Sequence, residues 1–204
     1  LHAAWADTPR FDRVFGSHMV LPHGKNIPVS GTAAPNREIT VTFGNTALKT
    51  KTDSKGKWSV TLPPMPPCAT GQTLAAVQNG DSAKLEDVLV GEVWLASGQS
   101  NMELPMRRLK PLYENEIKTA NNPNIRFFTV PQKYDFKTQR EDLESGKWEA
   151  TNSQTILNFS GVAYFFAKSL YEKNKVPVGI INASLGGSPV QAWMDFNSLK
   201  KFPE

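Results

Sequence analysis

The strongest constraint on the fold is a change of hydrophobic pattern near Gly91. From about residue 13 to residue 90 the chain is a series of short β-type runs, at 27–30, 38–43, 47–52, 57–62, 73–78 and 84–90, separated by turn residues. Glu38-Ile39-Thr40-Val41-Thr42-Phe43 alternates with period two and puts Ile39, Val41 and Phe43 on one face, as a half-buried strand requires. Gly44-Asn45, Asp53-Ser54-Lys55-Gly56 and Asn79-Gly80-Asp81 supply residues that tolerate positive φ at the reversals. Runs at this spacing predict an antiparallel β-sandwich, jelly-roll or immunoglobulin-like, over residues 1–90. Pro63-Pro64-Met65-Pro66-Pro67 cannot join a ladder and reads as a stiff connector.

Beyond Gly91, apolar runs at 93–96, 125–130 and 178–183 are strand candidates. Between the last two, residues 160–174 place Val162, Phe165, Phe166, Ser169 and Leu170 near one face at three- and four-residue steps, the signature of an amphipathic helix. Ser160 is positioned to cap it and Pro177 to mark its exit. Strand, helix, strand with apolar strands throughout predicts an α/β unit over 91–204, its parallel sheet covered on both faces. The boundary between the two units is expected at Val90 or Gly91.

Composition narrows the function classes. The 204 residues are 39% hydrophobic and 21% charged and include eleven Phe and five Trp, enough for a packed core. No apolar run approaches the roughly 18 residues of a membrane helix. The single cysteine, Cys68, cannot form an intramolecular disulfide. With 23 basic against 19 acidic residues and no long basic run, nothing marks a nucleic-acid partner. His18 and His23 have no Asp, Glu or Cys at ligand spacing, so no metal site is expected. The chain opens on Leu1, which fits removal of an export signal and fits trimming equally; a periplasmic or secreted location is the expectation. Asn158-Phe159-Ser160 and Asn182-Ala183-Ser184 match the glycosylation sequon, the second at the end of a predicted buried strand, and both read as chance matches.

Two segments carry possible chemistry. Ser97-Gly98-Gln99-Ser100-Asn101-Met102 directly follows the 93–96 run, so Ser100 falls in the loop at a strand's carboxyl end, where α/β sheets place their sites. Met102 stands where the Gly-x-Ser-x-Gly elbow would have its second glycine, so this is not that motif. Asn182-Ala183-Ser184-Leu185-Gly186-Gly187-Ser188 repeats the placement after the 178–183 run. Its two glycines permit close backbone approach, and an amide there could point into the Ser100 cleft. Trp193 offers an aromatic face for a sugar. On spacing alone both segments read equally as ordinary strand-to-helix turns, with Trp193 in the core.

The blocks running from Val90-Gly91-Glu92-Val93-Trp94 through Gly98-Gln99-Ser100-Asn101-Met102-Glu103, the segment Phe159-Ser160-Gly161-Val162-Ala163-Tyr164, and Gly186-Gly187-Ser188-Pro189-Val190-Gln191-Ala192-Trp193 resemble the sialate O-acetylesterase family of SGNH hydrolases. Upstream, Val20-Leu21-Pro22, Ile27-Pro28-Val29-Ser30-Gly31 and Gly56-Lys57-Trp58-Ser59-Val60 resemble the β-domain that precedes its catalytic domain. The resemblance implies a β-sandwich followed by the first part of an SGNH-type three-layer α/β/α domain. It implies a cofactor-free carbohydrate O-acetylesterase acting on sialic acid or an acetylated plant polysaccharide such as xylan. Ser100 would be the nucleophile, with the amides of Ser100 and of Gly186 or Gly187 forming the oxyanion hole and Gln99, Asn101 and Trp193 meeting the substrate.

In that family a late segment supplies Asp and His. Here His2, His18 and His23 all precede Ser100, and a serine hydroxyl is a poor nucleophile without an adjacent base. The expectation is an incomplete catalytic unit whose Asp and His come from a carboxyl-terminal continuation or a second chain. Its 178–183 strand, apolar on both sides, would be buried inside a larger sheet instead of lying at an edge. The rival expectation is a noncatalytic sugar-binding module presenting Trp58 or Trp193.

Overall fold

The computed structural model describes residues 8–133 and 138–202. In chain order the elements are β1 (Arg10–Phe11), β2 (Val20–Pro22), β3 (Ile27–Thr32), β4 (Glu38–Phe43), β5 (Thr46–Lys51), β6 (Lys57–Leu62), β7 (Cys68–Gln78), β8 (Asp81–Ala96), α1 (Ser100–Glu103), α2 (Lys110–Thr119), β9 (Asn121–Thr129), β10 (Trp148–Asn152), α3 (Gly161–Asn174), β11 (Val178–Asn182) and α4 (Phe196–Leu199). The chain is mixed α/β, with antiparallel pairs in the majority. β1, β3 and β6 form a small antiparallel sheet, and a larger sheet runs β10-β9-β11-β8-β7-β4-β5 with β2 beside β8.

Alternation sets the first core. β4 and β6 bury every second residue, so Ile39, Val41 and Phe43 from the large sheet meet Trp58, Val60 and Leu62 from the small one. Asn79 (φ 52) and Gly80 (φ 91) close β7 onto β8 as a two-residue turn, with Gln78 opposite Asp81. The run at 63–67 lies outside any strand, as its prolines require.

β8 corrects the expectation of two strands at 84–90 and 93–96. It is one strand from Asp81 to Ala96, and the expected boundary falls inside it, where its partners change. Up to Gly91 it pairs with β7 and β2; from Glu92 onward it pairs in parallel with β11, from Val178↔Glu92 to Asn182↔Ala96. Gly91 sits at the change because a Cβ there would lie 2.0 Å from the Pro177 carbonyl oxygen. Glu92 N–H donates to that same oxygen at 2.8 Å.

β11 is already interior, with β8 on one side and β9, also parallel, on the other. The 178–183 strand is therefore buried in the sheet by this chain's own β8 and β9, without the second segment expected to cover it. The edge left open is that of β8 from residue 92 to 96, since no described strand pairs with it there on the side away from β11. Trp94 is 45% exposed and Leu95 68% exposed on this segment.

Helix α3 covers one face of the parallel strands. Ser160 accepts a hydrogen bond from Ala163 N–H at its start, and Lys175 in the left-handed conformation (φ 56) ends it two residues before Pro177. Ala163, Tyr164 and Ala167 join Phe127, Val178 and Ile180 in a second core, where Phe159 stacks on Phe127 with ring centroids 4.2 Å apart. No described helix covers the opposite face. Gly179 there packs on Val20 and Trp148, and Leu95 is exposed.

Candidate active site

Parallel pairing brings the two chemistry-bearing loops side by side. The hydrogen-bonding continues past the strands: Ala183 N–H donates to Ala96 O at 2.8 Å and Leu185 N–H to Gly98 O at 2.9 Å. Each loop therefore leaves the sheet at the same level, which is why Ser100 and Asn182 line one cleft of about 590 Å3. Asn101, Glu103, Gln132 and Ser184 also line it. A groove of about 670 Å3 lies at the small sheet, and no expected catalytic residue lines it.

Ser100 opens α1, and its hydroxyl is exposed and donates to Gln99 Oε1 at 3.2 Å. As the first residue of that turn it has no carbonyl four positions back to accept its N–H. Opposite it, Ser188 N–H donates to Leu185 O across a turn in which Gly187 takes φ 76, the position a type II turn reserves for glycine. A Cβ on Gly186 would sit 3.8 Å from Ser100 Cα, so the glycine turn and the serine turn are in contact.

The glycines differ in what their amides do. Gly186 N–H donates to Glu103 Oε2 at 2.6 Å, so it is taken by a carboxylate and not free for a substrate oxygen, against the expectation for this residue. Gly187 is exposed, with nothing within 4 Å of a Cβ built on it. Glu103 Oε1 accepts from Gln132 Nε2 at 2.7 Å. Asn182, 6% exposed, accepts at Oδ1 from both Ser184 N–H (3.1 Å) and Ser184 Oγ (2.7 Å). That burial removes Asn182 from use as a glycosylation acceptor in the folded chain.

Gln99 and Trp193, expected to meet substrate, do not line the cleft. Trp193 is held by its own turn, Nε1 donating to Ser188 Oγ at 2.9 Å. Sequence reasoning gave no role to Glu103, Gln132 or Asn182. Glu103 lay within the quoted block, three residues after Ser100 and so on the same side of a helical turn, which is the signal that could have found it.

Among the described histidines, His18 pairs with Asp87, Nδ1 to Oδ2 at 2.8 Å. Asp87 precedes Ala96 by nine residues on β8, about 30 Å at the strand rise, so this Asp–His pair cannot reach Ser100. His23 follows β2, with its N–H bonded to Gly91 O. His2 lies outside the described residues.

Residues 90–202 match the family model described as carbohydrate esterase, sialic acid-specific acetylesterase. The sialate O-acetylesterase of Rattus norvegicus is 31% identical over 212 residues, covering 94% of this chain and 38% of that protein. The Homo sapiens sialate O-acetylesterase is 30% identical over 220 residues, covering 96% and 42%. A crystal structure of a carbohydrate acetylesterase from Xanthomonas citri superimposes with a TM-score of 0.89 at 35% identity, covering 95% of this chain and 44% of that one. The mixed α/β fold is thus one that a carbohydrate acetylesterase contains. The chain belongs to the sialic acid-specific acetylesterase family, and it spans less than half the length of these relatives.

Proposed function

We propose that this chain is the serine-bearing part of a carbohydrate O-acetylesterase, removing acetyl groups from sialic acid or an acetylated plant polysaccharide. The observation that carries the reading is the convergence of the Ser100 loop and the Asn182-to-Ser188 loop at the ends of adjacent parallel strands. Family membership supports the same chemistry. Residues 1–90 then form a β-sandwich without catalytic groups. Residues 91–204 form the first part of an SGNH-type three-layer domain, and the enzyme works in the periplasm or outside the cell.

In this reading Ser100 Oγ attacks the acetyl carbonyl carbon while a base takes its proton. The carbonyl π pair moves onto oxygen, which the amides of Ser100 and Gly187 receive. Collapse expels the sugar oxygen, which takes the proton, and water repeats the sequence to release acetate. The reaction needs no cofactor. Asp and His come from further polypeptide, either a continuation of this chain or a second one. Support for this lies in the roughly 30 Å of strand that separates Asp87 and its partner His18 from the Ala96 end of β8, the open 92–96 edge and the exposed Leu95. The test is acetyl-ester hydrolysis by residues 1–204 alone and with the region that follows the match in the relatives added in trans. Activity only in the mixture is the expected result. Full activity of 1–204 alone refutes the need for a second segment, and tight glycan binding without hydrolysis in either sample refutes the esterase.

A further inference from the structure

We propose that Glu103 is a positioning residue: its carboxylate clamps the Gly186-Gly187 turn against the Ser100 turn and so sets the direction of the Gly187 amide. The inference rests on the esterase reading above. α1 is a single turn, and the three-residue step from Ser100 to Glu103 brings the Ser100 Cα and the Glu103 carboxylate both against Gly186. Glu103 Oε2 accepts from Gly186 N–H at 2.6 Å, a charge-assisted bond spanning 83 residues of sequence. Its other oxygen accepts from Gln132 Nε2 at 2.7 Å, and that same amide lies 3.5 Å from Ser184 O. One carboxylate therefore ties three cleft walls together: the α1 turn, the segment after β9 and the loop after β11.

Ser100 Oγ donates to Gln99 Oε1 and not to Glu103, so Glu103 is not placed here to accept its proton. Its effect passes through the backbone. Gly187 follows Gly186 directly in a turn whose φ of 76 leaves its amide plane to be fixed by what holds Gly186. Among the described residues, the other hydrogen bond from this turn to the serine loop is Leu185 N–H to Gly98 O, on the far side of Gly186 from Gly187. An oxyanion donor must point at the developing charge, so a loosened turn lowers the rate of the chemical step more than substrate binding.

The test uses the active esterase, with the base-bearing polypeptide present, and reads kcat and KM on an O-acetylated sugar. Glu103→Ala is expected to lower kcat about 100-fold while KM stays within about threefold. Glu103→Gln is expected to recover most of the loss. Its Oε1 still accepts from Gly186, and Gln132 can turn its amide over to accept from the new Nε2, giving up only the long 3.5 Å bond to Ser184 O. Gly186→Ala places a Cβ 2.3 Å from Glu103 Oε2 and displaces the clamp, while its backbone lies outside the left-handed region. Gly186→Ala alone should therefore resemble Glu103→Ala, and in the Glu103→Ala background it should cost less than about threefold more. Should Glu103→Ala melt early, Glu103→Gln and Gly186→Ala decide the matter at a temperature where both stay folded like the parent: kcat largely kept in the first and lost in the second is the expected result, and equal kcat in the two overturns the proposal. Equal loss in Glu103→Gln and Glu103→Ala, full additivity in the cycle, or unchanged kcat in Glu103→Ala each overturns the proposal. A Ser100→Ala control separates the two readings: if it is as active as the parent, the serine assignment fails, and the clamp with it.

Discussion

Arg126 is buried to 3% exposure on β9, and its guanidinium ties that strand to the irregular stretch of β8 at Asp87. Nε donates to Pro123 O at 2.8 Å, Nη1 to Asp87 O at 2.5 Å, and Nη2 meets Asp87 Oδ2 at 3.0 Å. Asp87 itself stands at φ 55 where β8 slips register against β7, a conformation Asp tolerates better than most side chains. Arg126→Met keeps the stem's volume but strips donors from two backbone carbonyls and a carboxylate. Unmade buried bonds cost about 1–3 kcal/mol each, and water reaching the half-exposed Asp87 reduces its share, so the expected loss is about 3 kcal/mol. Urea unfolding followed by tryptophan fluorescence and circular dichroism measures it.

The pH dependence adds a sign. Partial burial disfavours the Asp87 carboxylate, but hydrogen bonds from His18 and Arg126 outweigh that and hold its pKa below the ordinary 3.8. Its contribution is therefore complete above about pH 4 and lost as pH falls through the lowered folded value. The stability gap between the parent and Asp87→Asn should be largest near neutrality and narrow in that acid window. A loss below about 0.5 kcal/mol for Arg126→Met, or an Asp87→Asn gap independent of pH, refutes the reasoning.

Three further outcomes follow from the same geometry. Gly91→Ala drives a Cβ to 2.0 Å from Pro177 O and should cost about 1–3 kcal/mol by forcing β8 away from the loop before β11, read as a lowered melting temperature. Ser160→Ala removes the cap of α3 and should cost about 1 kcal/mol in the same assay. Replacing His18 and His23 together with Gln should leave kcat of the active esterase within about threefold of the parent, because His18 pairs with Asp87 far along β8 and His23 is held beside Gly91, and neither lines the Ser100 cleft.

Local pattern was legible wherever one face of an element is buried and its ends carry turn chemistry. β4 and β6 match the expected 38–43 and 57–62 to the residue, and α3 starts at the Ser160 cap as read. The break near Gly91 was misread because a glycine and a glutamate inside an apolar run look like punctuation. Gly91 is there for close approach to Pro177 O, a contact with a residue 86 positions away. β10 escaped notice because Trp148-Glu149-Ala150-Thr151-Asn152 neither alternates nor is rich in branched residues. In the site, Ser100 and the glycine loop were legible as strand-end segments. The Glu103 bonds to Gly186 and Gln132 were not, since they exist only after β8, β9 and β11 align.

The central claim is that Ser100 performs the reaction. The direct measurement is turnover of an O-acetylated sugar by the active esterase and its Ser100→Ala variant, with mass spectrometry of the rapidly quenched parent for an acetyl group on the Ser100 peptide. The account predicts a loss of at least about a thousandfold in kcat with melting temperature unchanged, and an acetyl adduct on Ser100 in the parent. A Ser100→Ala variant retaining more than about a tenth of parent activity would contradict it.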